Sequence, residues 1–82
     1  LQEPESGRSL EVYTNQPGIQ IYTGNHFDGT EQGKGGQPIQ QYGGVALETQ
    51  IFPNSPNCDH YPNAILRPGE KYTHTCIYKF GW

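Results

Sequence analysis

Polar and apolar residues alternate along much of this chain with a period of two, the spacing of an extended strand with one face buried. The first such stretch is Leu10-Glu11-Val12-Tyr13-Thr14. Gln16-Pro17-Gly18 ends it, because proline presets one backbone angle and glycine accepts the positive one that follows. In Gly18-Ile19-Gln20-Ile21-Tyr22-Thr23, alternation puts Ile19 and Ile21 on a core face and Gln20 with Tyr22 on a polar, aromatic face. A third strand, Val45 to Ile51, divides the same way, with Val45, Leu47, Thr49 and Ile51 inward and Ala46, Glu48 and Gln50 outward. After the turn Arg67-Pro68-Gly69-Glu70, the longest strand is expected from Lys71 to Phe80, with Tyr72, His74, Cys76, Tyr78 and Phe80 on one face, aromatic enough to sit inside a sheet.

The segments between these strands carry turn chemistry. Residues 1–9 read as a leading loop or tail. Seven glycines between Gly24 and Gly44 predict a loop of about twenty residues, unusual in a small domain unless it is functional or packed by a larger body. Phe52 to Pro62, with Pro53, Pro56 and Pro62, is expected to wander over the surface, and Ala64-Ile65-Leu66 to be briefly extended. No internal repeat appears.

Composition sharpens this picture. Eleven glycines, seven prolines and ten aromatic residues (one Trp, six Tyr, three Phe) among 82 residues favour an all-β chain of short antiparallel strands. The apolar fraction of 32% is low for a chain that closes its own core, so an independent fold is expected to be marginal. The net charge of −3 is scattered, and Arg8, Lys34, Arg67, Lys71 and Lys79 form no basic patch, which argues against nucleic acid as a partner. No apolar run approaches the length of a membrane span. The start at Leu1-Gln2-Glu3-Pro4 without methionine suggests a processed or excised piece. Cys58 and Cys76 are more in keeping with two free thiols in a cytoplasmic protein than with a disulfide framework.

Several residue sets have chemical potential. A sugar site combines hydrogen-bonding side chains with aromatic surface, since sugars offer hydroxyls at their edges and C–H groups on their faces. The faces carrying Gln20, Tyr22, Glu48 and Gln50 supply both, although any half-solvated sheet presents such a face. Glu48 stands on a strand fit for burial, where desolvation strengthens a carboxylate as a base. Cys58, His60, His74 and Cys76 have the atoms of a zinc site but the spacing of no common finger, and read instead as core thiols and hydrogen-bonded histidines. Gly33-Lys34-Gly35-Gly36 lacks the Ser or Thr and the following helix of a phosphate loop and reads as a flexible turn. His26 and Asp28 fall in the glycine-rich loop and read as solvated.

The run from Leu10 to Asn25 (LEVYTNQPGIQIYTGN), then Asp28-Gly29-Thr30, resembles a late strand pair and loop of the galactose mutarotase (aldose 1-epimerase) family. Gly33 to Gly36, Gly44-Val45-Ala46-Leu47-Glu48-Thr49-Gln50, Ser55-Pro56-Asn57, Leu66 to Tyr72 and His74-Thr75 follow at suitable distances, so the resemblance covers nearly the whole chain from Leu10. It implies that residues 1–82 are the C-terminal portion of a single mutarotase-like β-sandwich (supersandwich) domain. It also implies interconversion of the α and β anomers of galactose or glucose with no metal or organic cofactor. Glu48 matches the family's catalytic base and Gln20 a glutamine that hydrogen-bonds the sugar; Asn25 is read as loop structure. None of His26, His60 or His74 matches the family's acid histidine, its second histidine or its sugar-binding aspartate, which come from earlier strands, so the remainder of the domain is expected as a partner. Tyr42 and Val45 depart from the histidine and phenylalanine that relatives often carry. The alternative is a non-catalytic carbohydrate-binding or structural β-module derived from the family.

Overall fold

A computed structural model describes all of residues 1–82. Four strands carry the regular structure: β1 (Ser9–Thr14), β2 (Gly18–Tyr22), β3 (Ala46–Gln50) and β4 (Cys76–Gly81). Single 3₁₀ turns at Lys34–Gly36 and Ser55–Asn57 are the only helical elements. The strands pair as two two-stranded sheets, β1 with β4 and β2 with β3. The all-β expectation and all four strands are therefore present, each within a few residues of where alternation puts it, except that β4 is shorter.

The chain divides into two units. One comprises Leu1–Gly18 and Thr49–Trp82. Here β1 and β4 run antiparallel from Ser9↔Gly81 to Thr14↔Cys76, a register that sets Leu10 against Phe80 and Val12 against Tyr78 on one face. The leading segment is a loop that folds back on β1. The amide of Leu10 donates to the Leu1 carbonyl at 2.9 Å and that of Glu3 to the Arg8 carbonyl at 2.8 Å, while the Glu3 carboxylate accepts from the amides of Glu5 and Ser6. Beyond Cys76 the ladder stops. Lys71–Thr75, expected as strand, is irregular in backbone pairing. Its last residues are held by Asn15, whose side chain donates to the Thr73 carbonyl at 3.1 Å and accepts from the Thr75 amide at 2.9 Å, and whose own amide donates to the Thr75 carbonyl at 3.4 Å. Ala64-Ile65-Leu66 likewise forms no strand. In the 52–62 segment, the Phe52 and Tyr61 rings meet edge to face at 5.1 Å, and the hydroxyl of buried Ser55 donates to the Phe52 carbonyl.

The other unit is Ile19–Glu48. Its long loop is tied by its own backbone. The Gly29 amide donates to Ile39, Ile39 to Glu31 and Gly33 to Gln37, at 2.8–3.1 Å, and Gln32 bridges Pro38. At its base the carbonyl of buried Gly24, at φ +70°, accepts from the amides of both Phe27 and Tyr42. Gly24 suits this position because its positive φ is open to glycine at no steric cost.

Neither unit buries an apolar side chain. Of the faces read as core, that of β2 is open, with Ile19 45% and Ile21 57% exposed, and Phe80 is 68% exposed, whereas Leu47, Thr49 and Ile51 are half-buried. The inward face of the expected long strand is thus a surface here. A two-stranded sheet has no second layer to cover its apolar face, and single hairpins are marginal in water for that reason. The accessible surface of 6878 Å² compares with about 4,900 Å² for a folded monomer of this mass.

Candidate functional site

Strands β2 and β3 are hydrogen-bonded neighbours, so Gln20 and Glu48 stand on adjacent strands. β2 forms because Ile19, Ile21 and Tyr22 suit a pleated surface and Pro17 closes the preceding turn; β3 forms around Leu47 and Thr49 between a glycine pair and Pro53. Both Gln20 and Glu48 are exposed. Glu48 is the one exposed residue of β3, the other four being half-buried, so the burial expected around its carboxylate is not supplied by these 82 residues.

Tyr22 and Ala46, each two residues along its strand from Gln20 and Glu48, line a cavity of about 240 Å³ with Phe27, Ile39 and Val45. Tyr22 also organises the loop that follows it. Its ring stacks on His26 at 6.0 Å between centroids and meets Phe27 at 6.2 Å, and its hydroxyl accepts from the His26 amide. Aromatic surface and polar side chains thus occur on one strand pair, but neither Gln20 nor Glu48 lines the cavity. Asn25 contributes its carbonyl, which accepts from Gln41 Nε2 at 2.9 Å, a loop contact as expected. Asp28 binds the amide and hydroxyl of Thr30, and those two bonds hold its carboxyl below the usual range.

The three histidines are dispersed. His26 lies against Tyr22, His60 against Tyr61 at 4.5 Å, and His74 against Tyr72 at 6.2 Å. Cys58 and Cys76 are free thiols. Lys34–Gly36 is one 3₁₀ turn with Gly35 and Gly36 at positive φ, a turn as expected rather than a helix start. Tyr42 takes φ 58° and is exposed. No helix is long and apolar enough to cross a membrane.

No pattern in the sequence points to the connection between Thr49 and His74, whose Oγ1 and Nε2 atoms are 2.7 Å apart. Alternation assigns Thr49 to a core face and His74 to an aromatic strand face; only the fold brings the two together across 25 residues.

Residues 1–79 match the family model described as aldose 1-epimerase. The chain is 56% identical over 75 residues to galactose mutarotase of Mus musculus and 53% identical over 75 residues to that of Homo sapiens, covering 92% of this chain and 22% of each relative. Aldose 1-epimerase of Escherichia coli strain K12 is 41% identical over 73 residues, 87% of this chain and 21% of the relative. The chain therefore spans about a fifth of the length of the curated relatives it matches.

Proposed function

From the chain's membership of the aldose 1-epimerase family we propose that it forms part of a mutarotase that interconverts the α and β anomers of an aldohexose such as galactose or glucose. The observation that carries this reading is the 56% identity to a galactose mutarotase across 92% of the chain.

In this reading Glu48 is the general base and Gln20 a sugar-binding residue. Glu48 takes the proton of the anomeric hydroxyl; the C1–O1 bond becomes a carbonyl as the C1–O5 bond breaks, and an acid delivers a proton to O5. Rotation about C1–C2 exposes the other carbonyl face, and the reverse proton transfers close the ring as the opposite anomer. Gln20 holds a sugar hydroxyl while this happens. The pairing of β2 with β3, and the aromatic cavity at Tyr22 and Ala46, support these roles.

The acid comes from the remainder of the domain, as does the layer that covers Ile19, Ile21 and Phe80. Two observations support that partner: the accessible surface of 6878 Å², which exceeds that of a folded monomer of this mass, and the relatives' greater length. The free thiols Cys58 and Cys76 support a reducing, cytoplasmic setting.

Polarimetry of freshly dissolved α-D-galactose with the full-length gene product tests the assignment. Acceleration by the wild-type protein and its loss in Glu48→Gln are expected; undiminished mutarotation in the variant would refute Glu48 as base.

A further inference from the structure

His74 is held more tightly than an exposed residue on an irregular segment has reason to be. Asn15 grips the backbone on either side of it, donating to the Thr73 carbonyl and accepting from the Thr75 amide. Both ring nitrogens are engaged, Nε2 with the Thr49 hydroxyl at 2.7 Å and Nδ1 with the Tyr72 hydroxyl at 3.3 Å. Each hydroxyl can donate or accept, so either neutral tautomer satisfies both contacts. Thr14 adds a third tie, its hydroxyl donating to the Thr75 carbonyl at 2.7 Å. Such a ring has few rotamers open to it and acts as a fixed post.

What the post holds is Thr49. Thr49 belongs to Ala46–Gln50 and directly follows Glu48. Successive side chains on a strand point to opposite faces, so a bond that fixes Thr49 from one face fixes the aim of Glu48 on the other. We infer that His74 is a positioning residue, which sets the direction of the Glu48 carboxylate by hydrogen-bonding Thr49. The inference rests on Glu48 being the base. A positioning residue has leverage there, since small misplacements of a reacting group cost on the order of a hundredfold in rate.

The test uses the full-length protein and the variants His74→Phe, Thr49→Val, the double variant and His74→Gln. His74→Phe and Thr49→Val are each expected to lower kcat by about tenfold or more, with KM little changed. The double variant should be no worse than the more damaged single one, because both remove the same bond. His74→Gln, whose amide can still meet the Thr49 hydroxyl, should recover part of the loss. Wild-type kcat in both single variants, or losses that multiply in the double one, would overturn the proposal. Amide exchange at Glu48 and Thr49 gives a readout that survives failure of the mutarotase reading. Faster exchange confined to β3 in Thr49→Val supports the anchoring even in an enzyme without mutarotase activity, and unchanged exchange overturns it.

Discussion

Lys79 Nζ lies 3.3 Å from Glu11 Oε1, and the two residues are direct partners in the register that joins β1 to β4. Glu11 also accepts from the Tyr13 hydroxyl, and that bond, ahead of Lys79, holds its carboxyl below the usual range. Both ends of the ion pair are more than half exposed, so solvent and salt screen it.

A pH- and salt-dependent effect follows. A carboxyl whose folded-state pKa is depressed contributes stability above its unfolded pKa, and that contribution is lost as pH falls through the folded value. Glu11→Gln in the full-length protein should therefore lower the melting temperature slightly at pH 7. The difference should shrink as the pH drops below the ordinary carboxylate range. Lys79→Gln should show a deficit at low ionic strength that fades at high salt. Thermal melts across pH and salt check both.

Gly18 opens β2 where there is no room for a side chain. A Cβ there would sit 2.8 and 2.9 Å from the Phe52 ring, which is itself braced edge-on by Tyr61 at 5.1 Å. Gly18→Ala should destabilise by about 1–3 kcal/mol, the ordinary cost of overpacking. Phe52→Leu in the same chain should return part of that loss, although Phe52→Leu alone destabilises. Urea denaturation of the two single variants and the double one measures the coupling.

Gly69 presents the opposite case, with nothing within 4 Å of an added Cβ but a φ of +87°. It follows Pro68 in a turn closed by the Glu70 amide donating to the Arg67 carbonyl at 3.1 Å and by the Glu70 carboxylate accepting from the Arg67 amide at 2.9 Å. Gly69→Ala should cost about 1–2 kcal/mol through backbone strain alone. Gly69→Asn should cost less, since asparagine tolerates the left-handed region. Denaturation midpoints distinguish this ranking from a steric one.

Much of the strand layout was legible because alternation and turn chemistry are local. Pro17-Gly18 and Pro68-Gly69 mark real turns, and the faces of β2 and β3 follow directly from a period of two. What local pattern cannot say is what covers a face. Ile19 and Ile21 have the spacing of core residues and lie exposed, because burial depends on a second layer that these residues do not form. The short β4 has a similar origin. Tyr72 and His74 alternate as strand residues do, but the Asn15 side chain takes the Thr73 carbonyl and the Thr75 amide that a partner strand would have bonded. The bond from His74 to Thr49 joins residues far apart in sequence, and no spacing rule announces it.

The proposed roles of Glu48 and Gln20 separate kinetically. A base acts on the proton that moves in the transition state, so Glu48→Gln should lower kcat by on the order of a hundred- to ten-thousandfold, the range attributed to acid–base groups. A hydrogen bond that holds the sugar equally in ground and transition states appears in KM instead. Gln20→Ala, which removes one neutral hydrogen bond of about 0.5–1.5 kcal/mol, should raise KM by roughly two- to tenfold with kcat nearly kept. Initial-rate polarimetry on the full-length protein reads both constants. A Gln20→Ala variant that lost kcat as Glu48→Gln does would move Gln20 from binding the sugar to steering the proton transfer.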